Sequence, residues 1–274
     1  MRILETALPE VVVHASAPAE ALDRVVLWHP GSPHTGAVLE PVREAAAAVG
    51  RDVVSVARPG YGGAARQRGR SVADGATGAV RVLELLGLRD VVVAGYSGGG
   101  PHALATAAAA PERTAALLLL ASVAPHGDAG WFDGMVDPSS LRAAKAGAAA
   151  REAHPERFDP DTFVARDWAA LDGAWRALGA DAQAGGETGP LGLVDDDLAF
   201  VQPWGVRTPT AVRARIAHGS DDRVVPPRHA RLLAAMLPGA EVVEHGGDGH
   251  VSVLEHLAEH LAALERPPLG LQPA

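Results

Sequence analysis

The stretch Asp90-Val91-Val92-Val93-Ala94-Gly95-Tyr96-Ser97-Gly98-Gly99 joins an apolar β-branched run to a cluster of glycines. A run that is apolar at successive positions suits a strand covered on both faces, as in a parallel sheet. Residues 98–109, rich in alanine, follow as a helix. Gly95 and Gly98-Gly99 flank Ser97 in the pattern G-x-S-x-G, which fits a sharp strand-to-helix turn with no room for Cβ atoms beside the serine. Such a turn exposes the serine oxygen beside the N–H groups and positive end of the helix. The competing readings are a plain βα turn and a glycine loop that binds phosphate. Against a dinucleotide loop, Ser97 stands where G-x-G-x-x-G needs its second glycine, and the segment lies well past the first βα unit.

Outward from this turn the same alternation repeats. Strands are expected at residues 11–14, 24–29, 52–57, 115–123, 213–218 and 240–244, and helices at 36–49, 71–86, 228–237 and 251–264. Ser71 with Asp74 three residues on reads as a helix start. Strands alternating with helices indicate a three-layer α/β domain built on a mostly parallel sheet. The pattern breaks between His126 and Pro203, where helix-like stretches at 141–154 and 161–178 appear and Gly185-Gly186 and Gly189-Pro190 interrupt them. Trp131, Trp168 and Trp175 fall in that stretch. The expected division is therefore a core of residues 1–126 and 204–274 with a helical cap at 127–203. The tail 267–274 is expected to fray.

The 274 residues are 47% hydrophobic and 21% charged, enough for a sizeable core in one domain. Lys plus Arg number 24 and Asp plus Glu 33, a formal charge of −9. That balance argues against a nucleic acid or an anionic membrane surface as partner. Cysteine is absent, which excludes disulfides, zinc thiolates and a thiol nucleophile. Residues 1–18 show no basic segment followed by an apolar stretch, so no secretory signal is expected and a cytoplasmic protein is the default.

A serine nucleophile needs a histidine to take its proton and a carboxylate to orient that histidine. With twelve histidines, placement decides. His250 lies after the strand at 240–244, at the start of the last helix, and Asp222 lies after the strand at 213–218. The order Ser97, Asp222, His250 is the serine–acid–histidine order of one fold class. Asp221 competes with Asp222, and either Asp222 or His250 could instead cap a helix. A tetrahedral intermediate also needs two donors for its oxyanion. The N–H of Gly98 and that of Ser32, in His29-Pro30-Gly31-Ser32-Pro33-His34, are the candidates.

With these motifs the sequence resembles the α/β-hydrolase superfamily, and within it the proline-iminopeptidase-like branch. The resemblance rests on Pro30-Gly31-Ser32-Pro33, Arg58-Pro59-Gly60-Tyr61-Gly62, Gly95-Tyr96-Ser97-Gly98-Gly99, the stretch 219–226 and Gly249-His250. It implies an eight-stranded core with a helical cap, Ser97, Asp222 and His250 as a catalytic triad, and Ser32 and Gly98 as oxyanion donors. The family usually carries His-Gly before the oxyanion residue, whereas here Pro30 precedes Gly31. Serine at the turn speaks against the aspartate-based dehalogenase and epoxide-hydrolase chemistries of that superfamily.

The activity expected is hydrolysis of a small apolar carboxylic ester through an acyl-enzyme, without cofactor or metal. The alternatives are a prolyl-type aminopeptidase on the same triad and a non-catalytic protein binding a small ligand. Asp195-Asp196-Asp197 could hold a peptide's amino group, though such a run more often is a solvated turn. Trp131, Phe132, Met135, Trp168 and Trp175 either line a substrate pocket or pack the cap onto the core. His256-Leu257-Ala258-Glu259-His260 matches H-x-x-E-H, but Leu254, Leu257, Leu261 and Leu264 form the buried stripe and leave both histidines on a wetter flank. His34 and His102 are expected near the site as supporting residues.

Overall fold

The computed structural model describes residues 2–8, 10–127, 129–207 and 212–265. The strands are β1 (Arg2–Leu4), β2 (Val13–Ala15), β3 (Val25–His29), β4 (Asp52–Val56), β5 (Val91–Tyr96), β6 (Thr114–Leu120), β7 (Arg213–Gly219) and β8 (Glu241–His245). They form one eight-stranded sheet in the order β1-β2-β4-β3-β5-β6-β7-β8. β3 to β8 run parallel, while β1 and β2 are antiparallel additions at one edge.

The continuous apolar runs have a direct cause. Side chains alternate between the two faces of a strand, and here both faces are covered. Val91 and Val93 of β5 and Leu117 and Leu119 of β6 enter one core, while Val92, Ala94, Leu118 and Leu120 enter the other. Among the helices, α1 (Glu40–Ala47) covers the second core, and α2 (Val72–Leu85) and α3 (Gly99–Ala109) cover the first. α2 begins with the capping box expected at Ser71: its hydroxyl accepts the Asp74 N–H at 3.2 Å, and the Asp74 carboxylate accepts the Ser71 N–H at 2.9 Å.

Among the described residues five α-helices stand between β6 and β7: α4 (Ser139–Ala146), α5 (Ala148–Ala153), α6 (Ala165–Asp172), α7 (Arg176–Thr188) and α8 (Pro190–Val201). Gly185-Gly186 does not interrupt the helical pattern as expected; both residues lie inside α7. A Cβ at Gly185 would come 2.7 Å from the Pro33 carbonyl carbon, and one at Gly192 would come 2.8 Å from Gly60 O. These glycines are small-residue contacts that let α7 and α8 lie directly on the loops after β3 and β4. Further on, α9 (Arg228–Met236) packs on the first core. The last helical segment is a 3-10 turn, Ser252–His256, running into α10 (Leu257–Glu265), which covers the second core.

The exposed three-residue β1 carries no signal of the kind that marked the other strands. The tail 267–274 lies outside the described residues. Among the described residues no helix is long and apolar enough to cross a membrane.

Candidate active site

The parallel register places the carboxyl ends of several strands side by side: His29 pairs with Gly95, Tyr96 with Leu120, and Gly219 with His245. The loops leaving that edge carry the polar residues, as open α/β sheets require. Ser97 follows β5 with φ +53°, a strained value for a residue with a Cβ. Leu120 O accepts its N–H at 2.9 Å, and its carbonyl accepts the Gly100 N–H at 3.0 Å. A Cβ at Gly95 would stand 2.6 Å from Gly99 O, and one at Gly99 would collide with the carbonyls of His29 and Pro30. The turn can therefore be made only with glycine on both sides.

The residues the sequence placed far apart meet here. His250 Nε2 lies 2.9 Å from Ser97 Oγ, and His250 Nδ1 lies 2.8 Å from Asp222 Oδ2. The second Asp222 oxygen accepts the N–H groups of Val224 and Val225, both at 2.9 Å. Burial would raise the Asp222 carboxyl, but His250 and His218 outweigh it and hold it well below the ordinary carboxylate range. A carboxylate so placed accepts the Nδ1 proton, leaving the Nε2 lone pair for the serine hydroxyl. The competitor Asp221 is exposed and accepts from Ser220 Oγ. Ser97 is only 9% exposed.

The loop of His250 is held by a residue the sequence did not reveal. Asp167, on α6, is completely buried. Its carboxylate accepts the N–H of His250 at 3.1 Å and those of Val251 and Ser252 at 2.8 Å each, with Ser252 Oγ donating at 2.9 Å. It thus satisfies the free N–H groups that open the final helical segment.

Ser32 and Gly98 also abut, since a Cβ at Gly98 would meet Ser32 Oγ at 2.5 Å and the Phe200 ring at 3.0 Å. Ser32 Oγ donates to Asp196 and accepts from Arg58 Nη2 at 2.8 Å. Here the Asp195-Asp196-Asp197 reading is corrected. The run is not a solvated turn but the middle of α8, with all three side chains buried. Four arginines meet the three aspartates: Arg66 at Asp195, Arg58 and Arg70 at Asp196, and Arg151 at Asp197. Paired in this way, they are not free to receive a substrate's amino group.

Of the aromatic candidates, Trp131 is fully buried against His126, Phe132 and His229, with its indole N–H donating to Ala124 O at 2.8 Å. Trp175 is buried in the second core, and Phe132 and Met135 pack against the first. Trp168 is 39% exposed and packs on Phe158 and Phe163. His34 is held by Asp181 of α7 at 2.9 Å, and His102 Nδ1 lies 3.0 Å from Gly98 O. Burial drives the His102 imidazole well below its ordinary value.

A second histidine cluster lies behind the His250 loop. His245, Asp248 and His256 bring one possible ligand atom each within 4.8 Å of one another. Each is already engaged: His256 by Asp248 at 2.8 Å, His245 by His260 at 2.9 Å, and Asp248 also by the Arg166 guanidinium at 2.9 Å. The rings of His245 and His256 stack at 3.8 Å, so their lone pairs do not converge on one point. The expectation that His256 and His260 share a wetter flank fails for His260, which is fully buried and accepts from Arg215.

A family model described as the alpha/beta hydrolase family matches residues 25–263. One curated relative, the dihydrolipoyllysine-residue acetyltransferase component of the acetoin cleaving system of Cupriavidus necator, is 27% identical over 241 residues. That alignment covers 83% of this chain and 58% of the relative, so the chain spans little over half of the relative's length. Among solved structures, the enol-lactonase of Burkholderia xenovorans LB400 superposes with a TM-score of 0.69 at 17% identity, covering 94% of this chain and 98% of that one. An esterase from Exiguobacterium antarcticum does so with a TM-score of 0.68 at 17% identity, covering 93% and 96%. At these identities the likeness establishes the fold.

Proposed function

The chain belongs to the alpha/beta hydrolase family, and from that premise we propose that it is a serine hydrolase cleaving a small, apolar carboxylic ester. The observation that carries this reading is the continuous contact from Ser97 Oγ through both nitrogens of His250 to Asp222. Ser97 Oγ attacks the acyl carbon while its proton passes to His250 Nε2. Asp222, ionised and buried, stabilises the imidazolium. The N–H groups of Ser32 and Gly98 hold the oxyanion. The bond to the leaving oxygen then breaks, and that oxygen takes the proton from His250. Water, deprotonated by the same nitrogen, releases the acid and restores Ser97.

An ester is favoured over a prolyl amide by two considerations. The aspartates that could have held a peptide's amino terminus are neutralised by arginines, and the enol-lactonase and the esterase share the fold. In this reading residues 127–203 form a cap that sets substrate size, over a core of residues 1–126 and 204–274.

A fluorophosphonate probe tests the mechanism. Labelling at Ser97, lost in His250→Ala, is the expected result; a folded protein that never labels would refute the catalytic reading and favour ligand binding without turnover. Nitrophenyl esters of short acids should then be hydrolysed, and prolyl anilides should not.

A further inference from the structure

The N–H of Ser32 belongs to the same peptide unit as the carbonyl of Gly31. A trans peptide is planar, with its C=O and N–H pointing in opposite directions. Whatever fixes the Gly31 oxygen therefore fixes the direction of the Ser32 N–H. Arg58 does this: its Nη2 donates to Gly31 O at 2.8 Å, and its Nη1 donates to Pro30 O. The guanidinium thus holds two successive carbonyls of the loop, and through the Gly31 carbonyl it fixes the peptide that carries the Ser32 N–H. That loop lies against the nucleophile, since a Gly31 Cβ would sit 3.2 Å from the Ser97 Cβ.

Arg58 is in turn locked by Asp196. The Oδ2 of Asp196 accepts from Arg58 Nη2 at 2.9 Å, from Arg58 Nε at 3.3 Å, from Tyr61 at 3.0 Å and from Ser32 Oγ. Its other oxygen is taken by Arg70. Arg58, Arg70 and Asp196 are each no more than 3% exposed. Burial works against the Asp196 charge, but the two guanidiniums outweigh it and keep the carboxyl ionised. Asp196 comes from α8, between β6 and β7, 138 residues along the chain from Arg58.

We infer that Arg58 and Asp196 are positioning residues for the oxyanion donor at Ser32, an inference that rests on the serine-hydrolase reading above. The helical segment between β6 and β7 thereby contributes to transition-state stabilisation as well as to covering the site. A misaimed Ser32 N–H weakens the hydrogen bond to the oxyanion, which exists only in the tetrahedral state, and leaves substrate binding alone.

The test uses Asp196→Asn and, because a buried charge pair is broken there, Ser32→Ala as a variant that keeps the backbone and removes only the hydroxyl, with its links to Asp196 and Arg58. Active sites are counted by fluorophosphonate titration, so that misfolded protein does not enter the rate. Per titrated site, Asp196→Asn should lose about ten- to a hundredfold in kcat on a nitrophenyl ester, with KM changed less than about twofold. Ser32→Ala should lose about three- to tenfold by the same route. Affinity for a trifluoromethyl ketone, whose adduct with Ser97 carries the oxyanion, should fall by the same factor as kcat/KM. Rates per site within twofold of wild type in either variant, or a loss in KM with ketone affinity unmoved, would overturn the inference while leaving the triad intact. A wild-type protein that neither labels nor hydrolyses would overturn the parent reading and this one with it.

Discussion

Replacing Asp167 by alanine is expected to damage the protein far more than removal of one side chain of that size. The carboxylate is completely buried and accepts the N–H groups of His250, Val251 and Ser252 together with the Ser252 hydroxyl. Each buried donor left without a partner costs about 1–3 kcal/mol. Three backbone donors, partly relieved by water entering the vacated space, bring the loss to about 3–5 kcal/mol. For a chain of this size each kcal/mol lowers Tm by about 2–4 °C, so the melting point should fall by roughly 10–15 °C. Asp167→Asn keeps one carbonyl oxygen for the donors and should fall between wild type and alanine. Urea unfolding monitored by tryptophan fluorescence reads the change, with an unchanged m-value showing that the unfolded state is the same. A loss below about 1 kcal/mol in Asp167→Ala would refute the reasoning, since it would mean that the three N–H groups find other partners at no cost.

Gly249→Ala tests the same contact from the other side: a Cβ there would collide with Asp167 and stand 2.6 Å from Val164 Cγ2, so a loss of about 2–3 kcal/mol in urea unfolding is expected. In Gly99→Ala the methyl would run into the His29 and Pro30 carbonyls. Backbone cannot step aside as a side chain can, so folded yield should drop sharply, and a stable variant that still labels at Ser97 would contradict the tight-turn argument. The acid limb of stability should carry the signature of Asp222. Its carboxyl is held below the ordinary range in the folded state, so the native protein binds fewer protons than the unfolded chain. The stability this supplies is complete above about pH 4 and is lost as pH falls further. Tm should therefore decline less steeply below about pH 4 in Asp222→Asn than in wild type, and parallel curves would count against the assignment.

The turn at Ser97 was legible because its constraint is local: glycine is demanded by atoms within a few residues and by one neighbouring loop. Asp222 and His250 were legible because a parallel sheet delivers its loops to one edge in a fixed order. Asp195-Asp196-Asp197 was misread for the opposite reason. Three adjacent acids look like a solvated surface, and their arginine partners lie between 46 and 138 residues away in the chain. One signal was present. Consecutive helical positions are about 100° apart, so three of them cannot all share the wet face of a helix that also presents Val194, Leu198 and Phe200 to the interior. Asp167 gave no such warning, because an isolated aspartate near Trp168 looks like any helix-surface acid until the fold brings the His250 loop over it. Gly185-Gly186 of α7 was read as a break, because close approach to a loop from elsewhere leaves no local mark, whereas Gly189-Pro190 does part α7 from α8.

The anchoring of α6 and α8 bears on how a molecule could reach Ser97. A flap that swings open on a hinge must let go of whatever lies beneath it. Lifting α8 would take Asp196 away from Arg58 and Arg70, both buried, and a buried charge deprived of its counterion costs about 3–5 kcal/mol. Lifting α6 would strip the cover from the amides at the head of the final helical segment. Held at two points, the helical segment between β6 and β7 resists lifting as one body, and the buried Phe200 ring stands 3.0 Å from where a Gly98 Cβ would sit beside the turn.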